Sequence, residues 1–91
     1  SEGITVVDFY ADWCGPCKML TPILEKVSEK VEAKICKVNV DESQELAQQF
    51  GVRGIPFLVV MKDGKMVEQS VGFKDETTIL EMISRHENTQ V

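Results

Sequence analysis

Two cysteines stand three positions apart in DWCGPCK, residues 12 to 18. At that spacing Cys14 and Cys17 have two chemistries open to them. They can grip a metal ion as thiolates, or pass electrons by opening and closing a disulfide with each other. A zinc site takes about four ligands, and the soft candidates are Cys14, Cys17, Cys36 and His86. Structural zinc ligands come as two close pairs on turns, whereas Cys36 falls in the middle of an apolar run and His86 at the end of a helical one. No metal is therefore expected. Disulfide exchange asks only for an exposed nucleophilic thiol and a sheltered resolving one. A Cys-x-x-Cys that opens a helix brings the sulfurs within disulfide reach. Unpaired N–H groups and the helix dipole then favour the thiolate of Cys14, while Cys17 lies one turn further in.

The flanking sequence supplies such a helix. Residues 4 to 10, ITVVDFY, read as a parallel strand covered on both faces. Pro16 suits the first helical turn, where a missing N–H costs nothing. Leu20, Leu24, Val27 and Val31 then mark an apolar stripe, interrupted by Pro22, which should bend the helix. Residues 33 to 40, AKICKVNV, read as a second strand. Asp41 to Gln44 resembles a capping box for a short helix ending at Gly51. FLVVM is the third strand, Asp63-Gly64 a hairpin turn, and MVEQSVG the fourth strand. DETTILEMISRH closes as a helix with Ile79, Leu80 and Ile83 inward, and residues 87 to 91 are expected to fray. The order βαβαββα describes an α/β fold, residues 1–91 as one domain, with a mixed four-stranded sheet flanked by helices. In open α/β sheets, sites gather beyond the carboxyl ends of the parallel strands, and Cys14 lies just past the first.

Composition sets the outer limits. With 91 residues, 43% hydrophobic and 27% charged, the chain is sized for one small core. A net charge of −5 without a Lys/Arg cluster argues against nucleic acid as a partner. No apolar run approaches the roughly 20 residues that span a bilayer, and SEGITVV does not read as a signal peptide, so no membrane partner is expected. Three cysteines are too few and too odd for a disulfide scaffold. A reducing, cytoplasmic setting is the expectation.

DFYADWCGPCKMLTP, KVNVD, GVRGIPF, and DGK followed by VG resemble the thioredoxin family in order and separation over residues 4 to 73. The resemblance implies a thioredoxin-like fold and a protein-disulfide reductase that uses the Cys14–Cys17 disulfide and no further cofactor. It makes Cys14 the attacking thiolate and Cys17 the resolving one, with Trp13, Gly15 and Pro16 shaping the surface between them. Asp8 matches the buried aspartate that accepts the second cysteine's proton, through water, and Lys37 the lysine near it. Pro56 matches a cis-proline opposite the disulfide, and Gly72 the glycine completing a docking groove. Disulfide-containing target proteins and a thioredoxin reductase follow as partners of a monomer. Thioredoxins carry a further strand and helix before the strand that starts here at Ile4. Without them residues 34 to 40 become a sheet edge and one helical cover is missing, as in a truncated or a naturally short form.

Several residues have plainer readings. Asp8 could be half of an ion pair with Lys37, but a carboxylate mid-strand is expensive to bury, which favours a raised-pKa base. Trp13 is expected on the rim and not in the core, where Ile55 and Phe73 would join it in an apolar patch. A substrate peptide would add along the backbone at Ile55. Cys36 reads as a small buried hydrophobe, His86 as a helix-end residue without chemistry, and Met19, Met61, Met66 and Met82 as packing. Asp41, Glu42 and Glu45 read as a solvated helix start. The competing functions are a redox-independent interaction module using the groove around Trp13, Pro56 and Gly72, and a specialised oxidase or isomerase.

Overall fold

Alternating and continuous apolar runs become strands where expected, and the 3.6-residue stripes become helices. The computed structural model describes residues 3–87. Its elements are β1 (Ile4–Tyr10), α1 (Gly15–Lys30), β2 (Lys34–Asn39), α2 (Gln44–Gln49), β3 (Phe57–Lys62), β4 (Lys65–Val71) and α3 (Glu76–Glu87). The sheet order is β2-β1-β3-β4. Strands β1 and β2 are parallel, whereas β3 runs antiparallel to β1 and β4 antiparallel to β3. β2 is the edge strand the sequence led us to expect.

The period-two alternation of β1 sorts its side chains onto two faces. Ile4 and Val6 meet Leu20, Leu24 and Val27 of α1 and Ile79, Met82 and Ile83 of α3 in one core. On the opposite face Phe9 packs with Phe57 and Val59, covered by Ala47 and Phe50 around α2. Helix α1 runs continuously through Pro22, and its Glu25, Lys26, Glu29 and Lys30 face solvent. The hairpin between β3 and β4 turns through Asp63 and Gly64, both at positive φ, as a two-residue Asp-Gly loop requires.

Two expectations are corrected. Helix α2 is capped by Ser43 without a side-chain bond and begins at Gln44, so Asp41 is no cap. The Asn39 side chain instead accepts from the N–H groups of Asp41 (2.8 Å) and Glu42 (3.3 Å), turning the chain before the helix. On α3 Ile79 and Ile83 are fully buried together with Met82, which falls on their stripe, and Leu80 packs half-buried against the same core, inward as expected. Met19 and Met66 are exposed, leaving packing to Met82 and the half-buried Met61. The fraying expected toward Val91 lies, beyond Glu87, outside the described residues.

Leu20 is fully buried between β1 and α3. Leu20→Ala should cost about 2–5 kcal/mol in denaturant unfolding, with an unchanged m-value.

Candidate active site

The strand directions bring four loops together. Tyr10 and Asn39 end the parallel pair side by side, Phe57 begins β3 opposite Phe9, and Val71 ends β4 opposite Phe57. The loops after β1, β2 and β4 and the loop before β3 therefore share one sheet edge. They carry Cys14, Asp41, Phe73 and Pro56 respectively.

Cys14 is the N-cap of α1, in extended conformation, and forms a disulfide with Cys17 across a Cα separation of 5.2 Å. The Cys17 N–H donates to Cys14 Sγ at 3.2 Å, so a helix-terminal donor is aimed at the outer sulfur. With the disulfide closed Cys14 is only 4% exposed and Cys17 2%. The expected exposure of the outer cysteine is thus corrected: both pack with Ala11 against Tyr10, Val40 and Ile55. Pro16 lies in the first helical turn, and Gly15 faces open space between the cysteines.

Pro56 is buried behind a cis Ile55–Pro56 bond, and Ile55 lies half-buried against the cysteine cluster. Gly72, at φ +98°, donates its N–H to the Pro56 carbonyl at 2.7 Å, tying the loop after β4 to the loop before β3. Such a φ suits glycine and strains other residues. Around this floor Trp13 is 70% exposed and Phe73 40%, so Trp13 is rim and not core. The indole N–H of Trp13 donates to Asp41 Oδ2 at 2.9 Å across 28 residues of sequence. Asp41 is the site residue that sequence reasoning missed. The available signal was its place directly after a parallel strand, where sites gather.

Asp8 is fully buried on β1, continuing the Ile4–Val6 row, while Cys17 continues the Leu24–Leu20 stripe packed on that row. Carboxylate and inner cysteine thus belong to the same layer between sheet and helix. Neither Asp8 oxygen has a hydrogen-bond partner among the described residues. Burial raises its pKa from 3.8 to about 6, against a smaller opposing pull from the Lys37 charge. The alternative of an Asp8–Lys37 ion pair fails. Lys37 Nζ donates instead to Thr21 Oγ1 at 2.9 Å and sits 4.5 Å from the centre of the Tyr10 ring. A cleft of about 150 Å³ adjoins Cys17, walled by Tyr10, Asp12, Lys18, Thr21 and Lys37.

Cys36 and His86 lie apart from this edge. Cys36 is half-buried in β2, opposite Val7, and His86 bonds Glu68 at 2.8 Å beside Arg85. Among the described residues no group of three or more His, Cys, Asp or Glu could hold a metal ion.

The family model described as Thioredoxin matches residues 1–85. The chain is 49% identical over 88 residues to a Bacillus subtilis thioredoxin, covering 94% of this chain and 85% of the relative. It is 49% identical to one from Chlamydia muridarum, covering 96% and 86%. The chain belongs to the thioredoxin family. Among solved structures, a point-mutant thioredoxin of Halobacterium salinarum superposes with a TM-score of 0.93 at 44% identity, covering 98% of this chain and 79% of that one. Fasciola hepatica thioredoxin gives 0.86 at 40% identity, covering 92% and 81%. Disulfide reduction by a dithiol is this family's activity and this chain's, with Cys14–Cys17 as the redox-active disulfide.

Two predictions arise from the geometry. The raised pKa of Asp8 means that folding carries no charge penalty below about pH 4. The penalty grows as pH rises to about 6, then levels near 3 kcal/mol. Asp8→Asn should therefore be more stable than the parent at pH 7 by roughly that amount, the gap closing on acidification to pH ~4 in urea titrations. Asp41→Ala should free the indole of the chain's single tryptophan. Its fluorescence anisotropy should fall while stability changes by less than about 1 kcal/mol.

Proposed function

We propose that the chain reduces disulfides of target proteins in two exchange steps, with Cys14 as nucleophile, Cys17 as resolving thiol and Asp8 as proton acceptor. The observation that carries this reading is the Cys17 N–H directed at the sulfur of the N-cap Cys14. When the dithiol is open, that donor and the helix dipole stabilise a thiolate on Cys14, as is already known for thioredoxins. The thiolate attacks one sulfur of the partner's disulfide. A mixed disulfide forms, and the partner's other sulfur leaves as a thiolate that is protonated from solvent. Cys17 then gives its proton to the Asp8 carboxylate and attacks Cys14 Sγ. The second partner sulfur leaves, and the Cys14–Cys17 bond closes. Two electrons have passed from the dithiol to the partner.

Trp13, Ile55, Pro56, Gly72 and Phe73 serve as the docking surface, with an extended peptide adding along the backbone at Ile55. Gly15 and Pro16 leave the surface between the cysteines low and fixed. Lys37 tunes Asp8. The oxidised form is recharged by a two-electron donor, a thioredoxin reductase. Residues 1–91 as one domain, acting as a monomer in the cytoplasm, fit this reading; no helix among the described residues is long and apolar enough to cross a membrane.

Cys17→Ser should trap covalent complexes with a disulfide-containing target such as insulin, visible on non-reducing gels, and Cys14→Ser should trap none. If Cys17→Ser accumulates no complex, the order of steps is wrong. In the parent the resolution rate should fall as pH drops through about 6, because protonated Asp8 accepts nothing. Asp8→Asn should lose that limb and be slower at pH 7 by about tenfold or more in stopped-flow measurements.

A further inference from the structure

Lys37 is the register partner of Asp8 on the neighbouring strand, so both side chains leave the sheet on the face covered by α1. A four-carbon stem starting there can reach a carboxylate on the adjacent strand, and the unpartnered oxygens of Asp8 are the nearest acceptor of opposite charge on the register. Yet the ammonium sits elsewhere, between the Thr21 hydroxyl and the Tyr10 ring. The Thr21 hydroxyl donates in turn to the Cys17 carbonyl, at 3.5 Å. That bond directs the hydroxyl proton toward the backbone and leaves its lone pairs to the lysine.

We propose that Thr21 is a positioning residue that holds the Lys37 ammonium against Tyr10 and off the Asp8 carboxylate, and so keeps Asp8 basic enough to deprotonate Cys17. This rests on the reading of Asp8 as proton acceptor. Asp8 meets the cysteine layer of α1, Lys37 of β2 and the hydrocarbon of Leu58 of β3, so Lys37 is the charge whose position matters. An ammonium in contact with a buried carboxylate lowers the carboxyl pKa and makes it a weaker base. Two partners outside the buried layer compete for the lysine. The hydroxyl is the directional one, worth a charge-assisted bond, and the ring adds a cation–π contact. Tyr10 and Thr21 also wall the cleft beside Cys17, so the same cluster lies where protons and solvent would approach the resolving thiol.

The test follows the Asp8 carboxyl by carbon NMR from about pH 4 to about pH 9, in parallel with the stopped-flow rate of mixed-disulfide resolution. Thr21→Val removes the hydroxyl at nearly constant shape; Thr21→Ala is the second variant should valine disturb folding. Both should lower the Asp8 midpoint by about one unit, while Thr21→Ser keeps the parent value. In a Lys37→Gln background Thr21→Val should shift nothing. A midpoint that stays or rises in Thr21→Val and Thr21→Ala, or one that falls equally without Lys37, overturns the proposal. If the midpoint falls as expected and the rate's acid limb does not follow, Thr21 still holds Lys37, and the proton-acceptor role of Asp8 is what fails.

Discussion

Strand β3 runs against β1 while β2 runs with it, and this pairing decides where chemistry is possible. Parallel strands both end at one edge, and an antiparallel neighbour must begin there. The helix-capping cysteine, the cis-proline loop and the glycine after β4 therefore converge although some 58 residues of sequence separate Cys14 from Gly72. The Gly72 N–H to the Pro56 carbonyl and the Trp13 indole to Asp41 then fix loops to one another that the sheet only brings near. Neither bond is strong, since each is worth about 1 kcal/mol net. They suffice because the sheet has already met the cost of bringing the loops together.

Asp8 is where this scaffold works against its own stability. Every other fully buried residue of β1 is hydrocarbon, and a carboxylate in that row gains no hydrogen bond among the described residues. The cost falls on folding, and what it leaves, in the layer occupied by the inner cysteine, is a carboxyl with a pKa of about 6, the base of the proposed mechanism. An ion pair with Lys37 would ease the cost and blunt the base at once. Parking the ammonium on Thr21 and Tyr10 is consistent with a site that keeps the charge close enough to moderate Asp8 without neutralising it.

Most of the fold was legible because strong local signals agreed with tertiary demand. The apolar run at residues 4 to 10 and the Leu20–Leu24–Val27 stripe specify their elements by side-chain periodicity, and the Pro16 helix start and the Asp63-Gly64 turn specify theirs by backbone conformation. The candidate site was legible where a motif marks it, at Cys14 and Cys17, and through resemblance at Asp8, Pro56 and Gly72. What escaped were contacts between elements. Asp41 looked like a solvated helix start because its partner is 28 residues away, and no local pattern announces an indole. Thr21 sits mid-helix beside Pro22, where a hydroxyl ordinarily just bonds back to the carbonyl four residues earlier; its second contact is with a lysine on β2, which no local pattern announces. Cys14 was expected to be open, but solvent access to a sulfur depends on what packs over the loop, here Ile55 and Val40.

That closed sulfur constrains recognition. At 4% exposure the Cys14–Cys17 bond offers little surface, whereas Trp13 beside it presents 70% of its own. Covering an indole of roughly 200 Å² to that extent is worth about 3.5 kcal/mol at ~25 cal/mol per Å². The bond to Asp41 holds the ring in place beforehand, so less side-chain entropy is lost on contact. The rest of the floor is backbone and small apolar side chains: Ile55, Pro56, Gly72. As the proposed docking surface, it would reward any extended segment that can lay hydrocarbon on the indole and backbone along Ile55. It reads little of the segment's sequence. In the proposed mechanism, selection among partners then falls to the reaction itself, since only a segment carrying a disulfide within reach of Cys14 would become covalently held.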